Sequence, residues 1–448
     1  MKVEQARSGA RDRSVAEAVG RATWRQWHMV CILTLLYIFA FIDRQSLVLL
    51  VGPIKQALGM SDTQMSLLLG GSFATFYGVL GLPAGYLVDR VSRRGIMGVG
   101  VVLWSAMTFS CGLASNFTQL FIGRCGVGIG EAAITPASYS LIRDSFPLES
   151  RARAFGLFSA AAFIGQASAV ILTGIMIGLI SAGKLKDVPF IGAMQPWQTV
   201  LVIVGAVGFP LSLLTLTFKE PIRHKDGSAE NAGVSFGEAF AHLRENWRVY
   251  LPLTVFATCY YAQASSYGAW MATVIARSWG LTPQQIGPYF GGELLILAPL
   301  GSWFGGLAVD RLTQRGRRDA APLVAVWTTI VFIPLVIAAP AVPGLNQMWL
   351  TLGVSLLLAA CYYPVSASLL AQITPQRLMG KVTAIYLLIF TLLGLGLGPT
   401  FVAAVSDNFF TGPQAIGYAL GTVSGCLITV ALVMALVLLR SFRRIVVT

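Results

Sequence analysis

Along the chain, apolar runs of about twenty residues alternate with short polar punctuation, and the alternation recurs twelve times. At 1.5 Å per residue each run can cross the ~30 Å hydrocarbon core of a bilayer, so the pattern predicts twelve spanning helices. The expected spans are 28–54, 63–89, 96–116, 118–143, 153–182, 197–218, 249–277, 284–310, 320–341, 346–372, 379–405 and 413–440. The fold class expected is therefore an all-α membrane protein.

The spans repeat at an interval of six. "GYLVDRVSRRG" (85–95) follows the second and "GLAVDRLTQRGRR" (306–318) follows the eighth, each with Gly, Asp four residues on, Arg, and a basic cluster. A second pair agrees: "ITPASYSLIRDSFPLESRARAFG" (134–156) joins the fourth and fifth spans, and "YYPVSASLLAQITPQRLMGKVTA" (362–384) joins the tenth and eleventh. Internal repeats of this size are how many transporters are built. The organisation expected is a tail at 1–27, a six-helix bundle at 28–218, a linker at 219–248 with an amphipathic helix near 235–247, a second bundle at 249–440 and a tail at 441–448.

Composition sharpens this picture. Mean hydropathy is +0.71 and only 11% of residues are charged, against about 25% in soluble proteins. The net charge of +13 sits in alternate loops: the N-terminal tail, Arg90 to Arg94, Arg143 to Arg153, 219–248, Arg311 to Arg318, Arg377 with Lys381, and Arg440 to Arg444. The opposite loops hold only Lys55, Lys184, Lys186 and Arg277. Charge placed this way follows topology and puts both termini in the cytoplasm; it argues against nucleic-acid binding. Residues 1–25 are polar and basic, so no cleaved signal peptide is expected. The six cysteines fall inside spans without metal or redox spacing, and the three histidines lack metal spacing. Neither a nucleophile with its base nor a phosphate loop is visible, so no enzyme, metal or cofactor is expected.

Few ionisable residues remain within the spans: Asp43 and Arg44 in the first, Arg124 and Glu131 in the fourth, Glu293 in the eighth. Each is costly in hydrocarbon and needs a cavity or a partner. Asp43 lies ~22 Å along the first span and Arg124 about 9 Å down the antiparallel fourth, at similar depth. Glu131 is two turns deeper on the same face as Arg124. Asp43 is expected to neutralise Arg124, or to compete with Glu131 for it. Because neighbours on a helix point about 100° apart, Asp43 and Arg44 are expected to face different surroundings. A carboxylate beside an arginine in an apolar cavity changes protonation when the arginine moves, which makes a proton-coupling device; a static buried pair is the structural alternative.

Other candidates are weaker. In "FATCYYAQASSYGAWM" (256–271) Tyr260, Tyr261 and Tyr267 offer rings with polar tips to an amphipathic substrate, while Trp270 fits an interfacial belt equally well. Glu293 suits a second protonation site, a cationic headgroup or a local partner. After the second span, Gly85 permits close helix approach and Asp89 sits at the cytoplasmic end of its helix. Arg90, Arg93 and Arg94 can reach neighbouring helix ends or, for Arg93 and Arg94, only enforce topology. Asp310 and Arg311 repeat Asp89 and Arg90, and a cytoplasmic gate is expected of Gly85, Asp89, Arg90, Arg94, Asp310 and Arg311.

Six plus six spans with G-x-L-x-D-R-x-x-R-R after the second resemble the major facilitator superfamily, which implies two bundles rocking about a midplane site. "FIDRQ" (41–45) with "RCGVGIGEA" (124–132) resembles more narrowly the Spinster branch, whose animal members carry sphingosine phosphate or lysophospholipids; the short loops look bacterial. The resemblance implies coupling or gating roles for Asp43 and Arg44 and a central site lined by Arg124 and Glu131. It further implies a bacterial inner membrane, protons and a lipid-like substrate as partners, and a monomer. Carriers of small organic anions share part of the pattern. A multidrug-proton antiporter is the other alternative, disfavoured because the fifth span lacks the G-P-x-x-G-G run of many such proteins.

Overall fold

The computed structural model describes residues 22–221, 235–375 and 377–447. Most of the expected tail 1–27, residues 222–234 of the linker and Thr448 lie outside the described residues.

The first span is one long helix, Trp24–Leu58, closed by Gly59 in the left-handed conformation. The second enters through a short helix, Asp62–Ser66, capped by Ser61, passes a π turn at Leu67–Gly71, and continues as Ser72–Arg90. Arg93–Gly112 is the third. The fourth is split into Phe117–Glu131 and Ile134–Ser145, and the fifth and sixth are Leu148–Ser181 and Pro196–Leu213. The C-terminal half runs Trp247–Trp279, Pro283–Gln314, Ala320–Ala338, Leu345–Ala360 with Tyr362–Ile373, Met379–Phe390 with Gly396–Phe409, and Ala415–Val447. Among the described residues nine of these helices are long and apolar enough to cross a membrane. The other three are the second, fourth and seventh, which carry the π turn, the split and the Tyr, Gln and Ser cluster.

The repeat is visible in the backbone. The fourth span breaks after Glu131 and the tenth at Cys361, and both second halves begin where the two repeated sequences align, at Ile134 and Tyr362. Apart from the repeat, which pairs the second span with the eighth, the second and eleventh spans each carry a five-residue π turn, Leu67–Gly71 and Thr391–Leu395, and these turns pack against each other across the halves. The expected amphipathic linker helix is Phe236–Glu245, with a Ser235 and Glu238 capping box, Ala239 buried, and Phe236 and Phe240 exposed. An exposed apolar face beside buried small residues suits a helix lying along a membrane surface.

The two halves meet through the first and seventh, second and eleventh, and fifth and eighth spans. Every hydrogen bond between them among the described residues lies on the face away from the termini. Thr63 donates to Asp407 at 2.7 Å from its hydroxyl, Ser66 meets Thr400 at 3.4 Å, and Arg277 makes two bonds to Asp62, at 2.8 and 2.9 Å. The halves are bonded on that face, and among the described residues no hydrogen bond joins them on the terminal face.

Candidate functional site

The fourth span approaches its neighbours closely because glycine occupies the contact positions. A Cβ on Gly130 would lie 2.8 Å from the Trp104 amide nitrogen, and one on Gly128 would lie 2.9 Å from the Phe73 carbonyl oxygen. This packing carries Arg124 and Glu131 up against the first, second and third spans, out of reach of lipid. Asp43, Arg124 and Glu131 are all at most 2% exposed.

Within that packing four charges form two pairs. Asp43 stands 3.6 Å from Arg124 Nη1, and the Thr108 hydroxyl lies 2.6 and 2.7 Å from its two carboxylate oxygens. Arg124 also donates to the carbonyls of Leu68 and Arg44, both at 3.4 Å. Glu131 does not compete for Arg124. Its Oε2 is paired with Arg44, while its Oε1 has no hydrogen-bond partner among the described residues. Asp43 and Arg44 face different surroundings, as their angular separation on the helix requires, and helical side chains also lean toward the N-terminus, here the terminal face. The long Arg44 side chain thus descends to the deeper Glu131 while Asp43 looks sideways. The Arg44 guanidinium rests over the Phe73 ring at 4.0 Å, with Phe41 at 4.9 Å and Tyr77 at 5.3 Å. Such stacking holds a cation in an apolar setting without consuming all of its donors.

A cavity opens between the halves, lined from the first span by Gln45, the residue after Arg44; Arg44 and Glu131 themselves do not line it. Its other walls are Phe163, Val170, Phe290, Leu294 and Leu356, with Gln166 and Gln263 as polar points, and no charged side chain lines it. Gln263 is 1% exposed, and its Oε1 lacks a partner among the described residues. Both bundles thus give the cavity apolar, amide-dotted walls, and the two ion pairs lie outside its lining, within the N-terminal bundle.

The seventh-span aromatics divide. Tyr267 lines the cavity, but its hydroxyl is committed to the Val336 carbonyl. Tyr260, expected at the substrate path, instead packs inside the C-terminal bundle: its hydroxyl is 2.8 Å from Thr329 and its ring stacks with Phe332 and Tyr362. Tyr261 is partly buried, with its ring edge-on to Phe390 and beside Gly394. Trp270 is not a belt residue; it is fully buried and donates to the Pro399 carbonyl. Glu293 sits against Leu297 and Gly353 between the eighth and tenth spans, and its Oε2 has no partner among the described residues.

This architecture has clear relatives. The model of the Major Facilitator Superfamily matches residues 33–399. The chain belongs to the Major Facilitator Superfamily. Members of this superfamily are transporters, and the chain is a multi-pass membrane transporter rather than an enzyme. It is similar to the crystal structure of a bacterial homolog of the human lysosomal transporter Spinster in its inward-facing, unoccupied conformation, with a TM-score of 0.82, 26% identity, and 94% of this chain and 98% of that one covered. An MFS-type efflux pump of Mycolicibacterium smegmatis is 25% identical over 88% of each chain. A probable L-galactonate transporter of Escherichia coli is 34% identical over 174 residues, 39% of this chain and 35% of that one. Within the superfamily this chain is of the Spinster-like kind.

The superfamily's loop motif occupies the terminal face. Arg94 donates to the Phe218 carbonyl at 3.2 Å, capping the end of the sixth span, and Arg90 stacks over Tyr86 at 4.1 Å. The expected close approach at Gly85 is absent: a Cβ there would meet open space. The side chain of Asp89 lies outside the described residues. Asp310 and Arg311 are exposed and make no ion pair among the described residues. Arg93, expected with Arg90 and Arg94 to reach neighbouring helix ends, is 1% exposed. It grips Asp144, reaches Glu220 at 3.0 Å and Ser140 at 2.9 Å, and donates to the Pro221 carbonyl at 3.0 Å. Burial alone would raise the Glu220 carboxyl, but hydrogen bonds from Ser92, Arg93 and Arg94 outweigh it and hold Glu220 below its ordinary range. On the opposite face the sequence reading missed Asp62, which binds both Lys55 at 2.6 Å and Arg277 of the other bundle. The available signals were the S-D-x-Q cap at 61–64 and the scarcity of cations on that face.

Proposed function

We propose that this transporter moves an amphipathic organic anion of the lysophospholipid or sphingosine-phosphate type, coupled to protons, across a bacterial inner membrane with its termini in the cytoplasm. The observation that carries the substrate class is the uncharged apolar wall of the cavity between the bundles, which is lined by Gln45, the residue that follows the paired Arg44 on the first span. A polyhydroxylated acid would leave that apolar wall without function, whereas an acyl chain buries it at about 25 cal/mol per Å².

In this reading Arg44 is the shared partner. Ionised Glu131 holds Arg44; a proton on Glu131 frees it for the phosphate of the substrate, so proton and anion are bound together and leave together. Asp43, fixed by Thr108, keeps Arg124 neutralised through the cycle, and Arg124 orients the backbone at Arg44. Breaking the Asp62 and Arg277 latch opens the far face, and the exposed loop residues Arg90, Asp310 and Arg311, with Asp89, then meet across the terminal face.

Small organic anions are the second reading, favoured by the similarity to the galactonate carrier over 39% of the chain. Competition in proteoliposomes separates the two. Uptake of a labelled lysophospholipid should be inhibited by sphingosine phosphate and left intact by excess galactonate. Labelled galactonate uptake with no lysophospholipid uptake would favour the second reading and refute the first.

A further inference from the structure

The terminal face carries a second recess, separate from the transport cavity and wholly within the N-terminal bundle. It lies among Arg25 and His28 at the start of the first span, Asp144 at the end of the fourth, and Lys219 and Pro221 after the sixth. Its carboxylates are already committed. Asp144 is held by Arg93 and by Arg143 at 3.2 Å, and Glu220, next to the recess, is held by Arg93. Arg25 and Lys219 are exposed at its mouth and have no carboxylate partner among the described residues. The 35-residue first helix also begins here with no acidic residue in its first turn, so its positive end is uncompensated by its own side chains.

The surroundings say where the counter-charge comes from. Trp24 beside Arg25 is 79% exposed, and Leu213 and Leu216, just before Lys219, are 60% and 61% exposed. Exposed tryptophan and leucine next to unpaired cations mark the level where acyl chains give way to headgroups. Trp24 precedes, and Leu213 and Leu216 lead into, the chain segments that line the recess.

We infer that this recess binds the phosphate of an anionic phospholipid, with Arg25 and Lys219 as its cations and Trp24, Leu213 and Leu216 against its apolar part. The site ties the first, fourth and sixth spans to the membrane interface and leaves the C-terminal bundle free to move. It does not depend on which substrate the transporter carries.

The test uses the purified full chain in detergent, with phosphatidylglycerol or phosphatidylcholine added at equal concentration and lipid retention read by native mass spectrometry. The parent should retain phosphatidylglycerol preferentially. At about 1 kcal/mol per cation near the surface, Arg25→Ala and Lys219→Ala should each weaken retention about fivefold, and the double variant roughly 25-fold. Arg318→Ala, an exposed cation on the same face of the other bundle, should change nothing. Unaltered melting temperatures will show that the variants are folded. Equal retention of the two lipids, or retention indifferent to Arg25 and Lys219, would overturn the site. Loss of bound lipid to inorganic phosphate, with no preference between the two headgroups, would overturn the lipid assignment in favour of a free-phosphate site.

Discussion

Arg93 shows how much one buried side chain organises. It holds Asp144 and Glu220, carboxylates from two different parts of the bundle, and satisfies a backbone carbonyl besides. Removing one member of such a buried pair costs about 3–5 kcal/mol because the partner is left uncompensated. Arg93→Ala should accordingly lower the melting temperature of the detergent-solubilised protein far more than Arg90→Ala, whose side chain is exposed. Glu220 adds a pH signature. Its carboxyl is held below the ordinary value of about 4.3, so its contribution is present above that pH and is lost as pH falls through the lower folded value. A melting profile from pH 7 to 3 should show this acid limb in the parent and a weaker one in Arg93→Ala. The ionisable residues of the central site were legible as charges inside apolar runs, and depth counting along two helices brought Asp43 to Arg124. The partner of Glu131 was not legible, because the reach and lean of an arginine side chain are invisible to residue spacing. The burial of Arg93 and its carboxylate partners were hidden for a related reason: in a basic cluster, sequence does not tell the buried arginine from those that only face water.

At the scale of elements, the glycines of the fourth span and the latch on the far face set the geometry. Gly130→Ala would press a methyl group against the Trp104 backbone, and overpacking of this kind costs about 1–3 kcal/mol. Its melting temperature should fall, and transport should fall with it if the third and fourth spans separate. The latch centres on Asp62, 4% exposed, between Lys55 of its own bundle and Arg277 of the other. When the bundles part, Lys55 remains, so Asp62 is never left without a cation. Arg277→Ala should shift the population toward the state open on that face, read as a longer distance between spin labels at positions 118 and 411. Burial would raise the Asp62 carboxyl, but its hydrogen bonds from Arg277 and Lys55 prevail and lower it. The parent distance should therefore stay constant from pH 7 to 4.5 and lengthen only below the ordinary aspartate value of about 3.9. The duplicated loop motifs foretold two alike halves. The matching breaks at Ala132 and Cys361, and the π turns at 67–71 and 391–395, follow from packing between helices and leave no local mark beyond clustered small residues.

At the scale of the molecule, two bundles hydrogen-bonded to each other on the face away from the termini enclose an uncharged, apolar cavity beside a helix that carries a buried ion pair. Hydropathy and repeat made this architecture readable, since a bilayer permits few folds for twelve apolar helices. The lining of the cavity was not readable, because Gln45, Phe163, Gln263 and Leu356 converge from both halves. The central claim is that Arg44 passes between Glu131 and the substrate as a proton comes and goes. The most direct measurement is lysophospholipid uptake into proteoliposomes with and without an imposed pH gradient, for the parent and for Glu131→Gln. The parent should respond to the gradient; Glu131→Gln, which cannot ionise, should lose the gradient response while still exchanging labelled for unlabelled lipid. A Glu131→Gln protein that accumulates lipid down the proton gradient as the parent does would contradict the account.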